Sequence, residues 1–104
     1  MKINIKGIAE IRSVFLNGEE LSPKRSLKIW NHSPDGFNWG YADSGSAQLA
    51  LAILLEVVPR QFAIENHQKF KFNVISKLPQ GKDFDIIIDI PEDIENNKFE
   101  NENH

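Results

Sequence analysis

The longest apolar run in the chain covers Ala47 to Val58, AQLALAILLEVV, and only Gln48 and Glu56 interrupt it. A helix that is apolar on every side has no face for solvent, so the rest of the domain must cover it. Ser44-Gly45-Ser46 comes just before the run, and serine is a favoured helix N-cap. The pattern therefore predicts a buried helix over residues 45–58 at the centre of the fold.

A second helix is predicted after Pro59, over residues 60–78. Residues on one stripe recur there at spacings of three and four, as on one face of a helix. The stripe consists of Ala63, His67, Phe70, Val74 and Leu78. We interpret His67 as a structural residue on this buried stripe. Phe72 lies off the stripe and is expected at the surface.

Short segments with alternating apolar and polar residues predict β-strands in the remaining parts of the chain. Strands are expected over residues 1–8, 11–16 and 19–21, and Asn17-Gly18 favours a type I′ hairpin turn between the last two. A second hairpin is predicted from strands 26–32 and 37–41 around the turn at Ser33-Pro34-Asp35-Gly36. Residues 84–90 predict a final strand.

Antiparallel strands followed by helices are typical of an α+β domain. We predict a small antiparallel sheet of two hairpins plus a C-terminal strand, packed on two helices with helix 45–58 central. Residues 1–90 are expected to form a single domain. Residues 91–104 are rich in acids and Asn, and we interpret them as a disordered tail.

The net charge of −3 is concentrated at one end of the chain. Residues 1–90 hold 11 Lys/Arg and 10 Asp/Glu, whereas residues 91–104 hold one Lys and five acids. No clustered basic face is expected, so a nucleic-acid partner is disfavoured. There is no cysteine, no secretory signal is recognised, and the longest apolar run is too short to cross a bilayer. We therefore expect a cytoplasmic protein.

Two segments resemble a known family, namely His32 to Tyr41 (HSPDGFNWGY) and Ser44 to Leu51 (SGSAQLAL). They are similar to an uncharacterised small-domain family of bacteria, archaea and phages with the pattern HSPDGFxWGYxxSGPAQLALAxL. The resemblance runs from about Val14 to Leu78. It implies a bacterial or phage accessory protein and brings no activity. Ser46 replaces the usual Pro, which is favoured at the first helical position, so a helix start near residue 46 is expected.

The start of the central helix is the first candidate site. Free backbone N–H groups and the positive end of the helix dipole can bind an anion. Two aromatic residues just upstream could flank such a ligand. The candidate ligand-binding residues are Trp39, Tyr41, Ser44, Gly45, Ser46 and His32. The alternative is a capped helix whose glycine allows close packing and whose neighbouring rings belong to the core.

A small hydrolase or transferase is the rival hypothesis, with His32, Asp35 and Ser44 as its reactive residues. It needs a base beside the nucleophile and a third group to orient that base. Asp35 has a simpler interpretation as a turn residue. One His on a turn lacks metal-ligand spacing, so no metal site is predicted. No cofactor is expected either.

Exposed aromatic residues are a further candidate, because Trp30 and Phe72 could anchor a protein partner. The function predicted from the sequence is a binding or regulatory module rather than an enzyme. Its expected partner is a protein or a small anionic ligand, and a homodimer is left open.

Overall fold

Four short strands form one antiparallel sheet in the computed structural model, which describes residues 1–101 and the side chains of residues 1–99. The strands are β1 (Lys2–Ile8), β2 (Ser13–Leu16), β3 (Glu19–Glu20) and β4 (Phe84–Asp89), in the order β3-β2-β1-β4. Positive φ angles at Asn17 and Gly18 confirm the tight turn between β2 and β3. The predicted first hairpin and the C-terminal strand are both present.

One face of the sheet is buried and the other is exposed, as period-2 alternation requires. In β1 and β4 the inner residues include Ile3, Ile5 and Ile88, and Ile3 lies directly opposite Ile88. Lys6 and Ile87 are on the outer, exposed face. The helices therefore pack on the inner face only.

The predicted central helix is α2 (Ser44–Val57). Every residue from Gly45 to Leu55 is buried, so the interpretation of an enclosed apolar helix is confirmed. A second helix, α3 (Arg60–Asn73), packs against it and ends in a short 3₁₀ turn at Ile75–Lys77. The α+β class is confirmed.

The stripe predicted for the second helix is buried as a set, although α3 itself stops before its last members. Its buried residues are Ala63, His67, Phe70, Val74 and Leu78. Lys71 is buried beside them, and Phe72 is exposed as expected.

No helix in the described part of the chain is long and apolar enough to cross a membrane. The cytoplasmic location stays a prediction.

The predicted second hairpin is wrong, because residues 26–29 belong to a helix and residues 30–32 are irregular rather than a strand. Helix α1 covers Lys24–Ile29 and follows Pro23, whose fixed φ suits a helix start. The buried Ser26 donates its hydroxyl hydrogen to the Pro23 carbonyl at 2.8 Å. Over six residues, the alternation of Leu27 and Ile29 with polar neighbours does not distinguish a strand from a helix.

The segment from 33 to 41 is irregular rather than extended. The turn at Ser33–Gly36 is present, with the Gly36 N–H directed at the Ser33 carbonyl. Gly40 has a φ of 79° and donates its N–H to the Ile75 carbonyl at 3.0 Å, so the chain turns away from a hairpin path. Phe37 and Trp39 are buried, while Tyr41 is exposed.

The tail is also ordered further than predicted. Helices α4 (Glu92–Asn96) and α5 (Lys98–Asn101) follow β4, and Ile94 is fully buried. The Asn73 side chain donates to the Ile94 carbonyl, and Lys69 forms an ion pair with Glu95 at 3.1 Å. One apolar residue in the acidic segment thus fits against α3, which the composition alone did not indicate. Residues 102–104 of the predicted tail lie outside the described residues.

Candidate functional site

The start of α2 is closed by Asp43, which is its N-cap. One Asp43 carboxylate oxygen accepts the Ser46 N–H at 2.9 Å, and the other accepts the Asn38 side-chain amide at 2.8 Å. Partial burial raises the pKa of Asp43, but these hydrogen bonds outweigh burial and hold the pKa below its ordinary value of 3.8. A carboxylate thus occupies the place that an anion would take. With Asp43 as cap, Ser46 is the third helical residue and not the first.

The residues around this cap are packed as structure. Gly45 lies against Asn38 so closely that an added Cβ would be 2.7 Å from the Asn38 Cβ. Trp39 is only 3% exposed. Its indole N–H donates to the Lys82 carbonyl at 2.9 Å, and its ring meets Phe84 edge to face at 4.9 Å. Trp39, Gly45 and the Ser46 backbone are therefore explained by the fold, whereas the buried Ser46 hydroxyl has no hydrogen-bond partner among the described residues.

An open cleft of about 390 Å³ lies beside the capped helix start. Residues that line it include Arg12, Tyr41 and Asp43. Arg12 and Asp43 bring opposite charges to the same cleft, and Tyr41 is 46% exposed. This mixture does not favour an anionic ligand, because the Asp43 carboxylate would repel it.

His32 belongs to a different place from the other predicted site residues. Its Nε2 lies 2.9 Å from Nε2 of His67 on α3. Asp35 and Ser44 are exposed, and no hydrogen bond joins either of them to His32 within the described residues. The constellation required for the hydrolase or transferase hypothesis is not assembled, so we do not propose that activity.

Gln48 holds the backbone that leads to His32. This fully buried side chain accepts the His32 N–H at 2.7 Å and the Ser33 N–H at 3.0 Å. Its amide group donates to the Ser26 hydroxyl at 2.8 Å and to the Trp30 carbonyl at 3.1 Å. Buried polar groups are costly unless they are hydrogen-bonded, and here all of these are paired. The polar interruption of the apolar run therefore ties α1 and the following loop to α2.

The orientation of the two imidazoles follows from their partners. Nδ1 of His67 is 2.7 Å from the Ile64 carbonyl, which can only accept, so Nδ1 carries the hydrogen. Nε2 of neutral His67 is then an acceptor. Nε2 of His32 must donate to it. Each ring is thus held in one tautomer, and Nδ1 of His32 keeps a lone pair.

One exposed aromatic ring, Trp30, flanks this pair, and a second, Phe72, contacts the neighbouring Lys71. The Trp30 ring stacks on His32 with centroids 4.6 Å apart and meets His67 edge on at 5.2 Å, yet Trp30 is 48% exposed. One turn along α3 from His67, the Lys71 ammonium lies 4.1 Å from the centroid of the Phe72 ring, which is 54% exposed. We call these five residues, Trp30, His32, His67, Lys71 and Phe72, the aromatic–histidine surface.

Lys71 and the lowered pKa of His32 set the electrostatics of this surface. Partial burial lowers the pKa of His32 below its ordinary value of 6.5, and the nearby His67 and Lys71 lower it further. In the described part of the chain no carboxylate forms an ion pair with His32 or Lys71. The described residues also contain no group of three or more His, Cys, Asp or Glu side chains placed to hold a metal ion. The surface is therefore suited to an acidic group.

A family model matches residues 5–96. The chain belongs to DUF6166, a family of unknown function. No curated protein and no solved structure matches it. The match covers both the helix start and the aromatic–histidine surface of this DUF6166 chain, and the family description assigns no role to either.

Sequence reasoning missed the pairing of His32 with His67, which are 35 residues apart. It also missed the part played by Lys71, a charged residue beside the buried stripe. Signals were present, because Gln48 interrupts an otherwise apolar run and His67 interrupts the stripe. Tertiary packing brings His32 and His67 together.

Proposed function

We propose that this DUF6166 chain is a non-catalytic binding module that recognises an acidic segment of a partner protein through the aromatic–histidine surface. The observation that carries the proposal is the position of two exposed aromatic rings beside two basic side chains that lack a carboxylate partner. The cytoplasmic setting and the bacterial or phage accessory role expected from the sequence complete this proposal.

Lys71 supplies the first argument. It is only 8% exposed, whereas the surface lysine Lys69 is paired with Glu95. The Lys71 stem is covered while its ammonium stays accessible, and the contact of the ammonium with the Phe72 ring contributes only about 0.5–1 kcal/mol. A carboxylate from a partner would provide the missing counter-charge.

The aromatic rings supply the second argument. Trp and Tyr often carry much of the binding energy in protein interfaces, together with Arg. Trp30 is already held by its contacts with His32 and His67, so binding would cost little side-chain entropy. Phe72 extends the apolar area beyond Lys71.

The acidic tail of the same chain is on another side of α3. Its contacts are made by Lys69 and Asn73, which lie about 200° around the helix from His67 and Lys71. The described tail residues therefore contact the side of α3 opposite His67 and Lys71, and Phe72 lies between the two sides, about 100° from Lys71 and about 60° from Lys69.

A peptide-display selection tests the proposal without a known partner. The folded protein is used to select from a random peptide library, and we expect enrichment of Asp and Glu next to an aromatic or aliphatic residue. Trp30→Ala and Lys71→Glu should abolish that enrichment. Peptides without acids, or equal enrichment with Lys71→Glu, would contradict the proposal.

Matched variants control for general effects of charge and aromatic loss. Tyr41→Ala removes an aromatic ring of nearly equal exposure from the helix-start cleft, and Lys77→Glu makes the same charge change at an exposed lysine outside the aromatic–histidine surface. Both should select the same peptides as the wild type. Thermal shifts with inorganic phosphate and citrate form a separate arm. A shift there without any selected peptide would favour a small anionic ligand instead of a protein.

A further inference from the structure

The hydrogen bonds of the His32–His67 pair leave one site for an added proton. Both nitrogens of His67 are engaged, Nδ1 with the Ile64 carbonyl and Nε2 with His32. Nε2 of His32 donates to His67, and its Nδ1 has no hydrogen-bond partner among the described residues. A proton that enters this pair without breaking a bond must therefore bind to Nδ1 of His32.

The pair can take up only one proton in this way. With Nδ1 of His32 protonated, its Nε2 still donates to Nε2 of neutral His67. A second proton on Nε2 of His67 would place two N–H groups against each other across 2.9 Å. The pair then changes from neutral to singly charged as a unit, and the new N–H belongs to the half-buried ring on which Trp30 stacks.

The surroundings oppose this proton in the free protein. Partial burial lowers the pKa of His32 most, followed by His67 and Lys71, both on α3. The neighbouring polar groups from α1 and α2, Ser26 and Gln48, are neutral. A carboxylate next to Lys71 would offset the effect of the lysine and accept a hydrogen bond from the new N–H.

We propose that His32 takes up one proton, at Nδ1, when an acidic ligand binds to the aromatic–histidine surface, so that binding strengthens as the pH falls. This inference rests on the proposed function and adds its regulation. Between the pKa of His32 in the free protein and its pKa in the complex, affinity should rise about tenfold for each unit by which the pH falls.

NMR of the free protein tests the pair without any ligand. The imidazole nitrogens of the three histidines are observed in ¹⁵N-labelled protein, and His32→Gln identifies the signals of His32. We expect an Nε2–H tautomer for His32, an Nδ1–H tautomer for His67, and proton uptake at His32 Nδ1. Lys71→Met should raise the pKa of His32, because it removes a nearby cation. The opposite tautomers, or entry of the proton at His67, would overturn the inference.

The binding arm uses a soluble copolymer of Glu and Tyr as the probe, between about pH 5.5 and pH 8, where its carboxylates stay ionised. Calorimetry in two buffers of different ionisation enthalpy counts the protons taken up. The wild type should bind more tightly at low pH with proton uptake, and His32→Gln should bind with a flat pH profile. Equal affinity at all pH values would overturn the proton linkage and leave the proposed function intact. Absence of binding at every pH would overturn both.

Discussion

The helix start at Asp43 and the aromatic–histidine surface both place polar side chains beside α2, but they differ in how those side chains are paired. At the helix start, Asp43 has hydrogen bonds from Ser46 and Asn38, and Trp39 has a carbonyl partner. At the aromatic–histidine surface, Gln48 satisfies the backbone underneath, while His32 Nδ1 and the Lys71 ammonium have no hydrogen-bond or ion-pair partner in the described chain. The first region is closed by these bonds apart from the buried Ser46 hydroxyl, which has no partner among the described residues, and the second is the region that we propose binds a partner.

The largest expected effect comes from removing the support under the aromatic–histidine surface. Gln48→Leu leaves the partly buried N–H groups of His32 and Ser33 without their acceptor, and the Ser26 hydroxyl and the Trp30 carbonyl without their donor. Each unsatisfied group costs about 1–3 kcal/mol, so we expect a loss of about 3 kcal/mol or more in the free energy of unfolding, measured with urea. Gln61→Leu, on the exposed side of α3, is the control and should stay within about 0.5 kcal/mol of the wild type. A loss below about 1 kcal/mol for Gln48→Leu would mean that the network is not needed.

Gly45→Ala tests whether the helix start is packed or open, through the sign of the effect. In an open helical position the change from Gly to Ala stabilises by about 1 kcal/mol. Because the new Cβ would meet Asn38 at 2.7 Å, we expect a loss of about 1–3 kcal/mol instead. Ser44→Ala, at the exposed neighbouring residue, should be nearly neutral. A gain in thermal stability for Gly45→Ala would show that the start of α2 has room for a ligand.

Asp43→Ala removes the cap and should cost about 1 kcal/mol at neutral pH. The folded pKa of Asp43 is below the ordinary 3.8, so its contribution is present above that value and is lost as the pH falls through the folded pKa. Urea unfolding at several pH values should show the variant approaching the wild type in acid. Asp35→Ala removes an exposed carboxylate from the neighbouring loop and should change little. A difference that persists unchanged in acid would argue against the cap.

The smallest effect is expected from the titration of His32. Its folded pKa is below 6.5, so the unfolded chain binds the proton first and stability falls as the pH drops from about 6.5 towards the folded pKa. One proton limits the slope to about 1.4 kcal/mol per unit of pH. His32→Gln should lack this decline, as measured by urea unfolding between about pH 7.5 and pH 5. An identical decline in the variant would assign it to another group.

Much of the fold was predictable because its patterns are local. The enclosed helix from Ala47 to Val58, the alternation in β1 and β4 and the Asn17-Gly18 turn each follow from residues close together in sequence. The segment from 24 to 41 was not predictable in this way. Ser26 is buried because Gln48 reaches it, and Gly40 turns the chain towards Ile75.

The candidate site shows the same division. The off-phase positions of Trp30 and Phe72 allowed both rings to be exposed, and both are exposed. For Trp30 that phase rested on a predicted strand, and the residue instead follows helix α1. From the sequence we grouped His32 with Ser44 at the helix start. In the structure the His32 ring instead lies against His67 on α3. The capping role of Asp43 was within reach of local reasoning, since Asp is a preferred N-cap residue.

By itself the sequence determined that the residues of the central helix had to be buried and where the strongly periodic elements run. Those properties depend on side-chain polarity at fixed helical and strand spacings, which any reader of the chain can count. Only the tertiary structure decided that two histidines share a hydrogen bond, that a buried glutamine holds the loop beneath them and that a lysine next to them lacks a counter-charge. The hydrogen bonds among them join residues from 15 to 35 positions apart, and their energy exists only after the helices have packed.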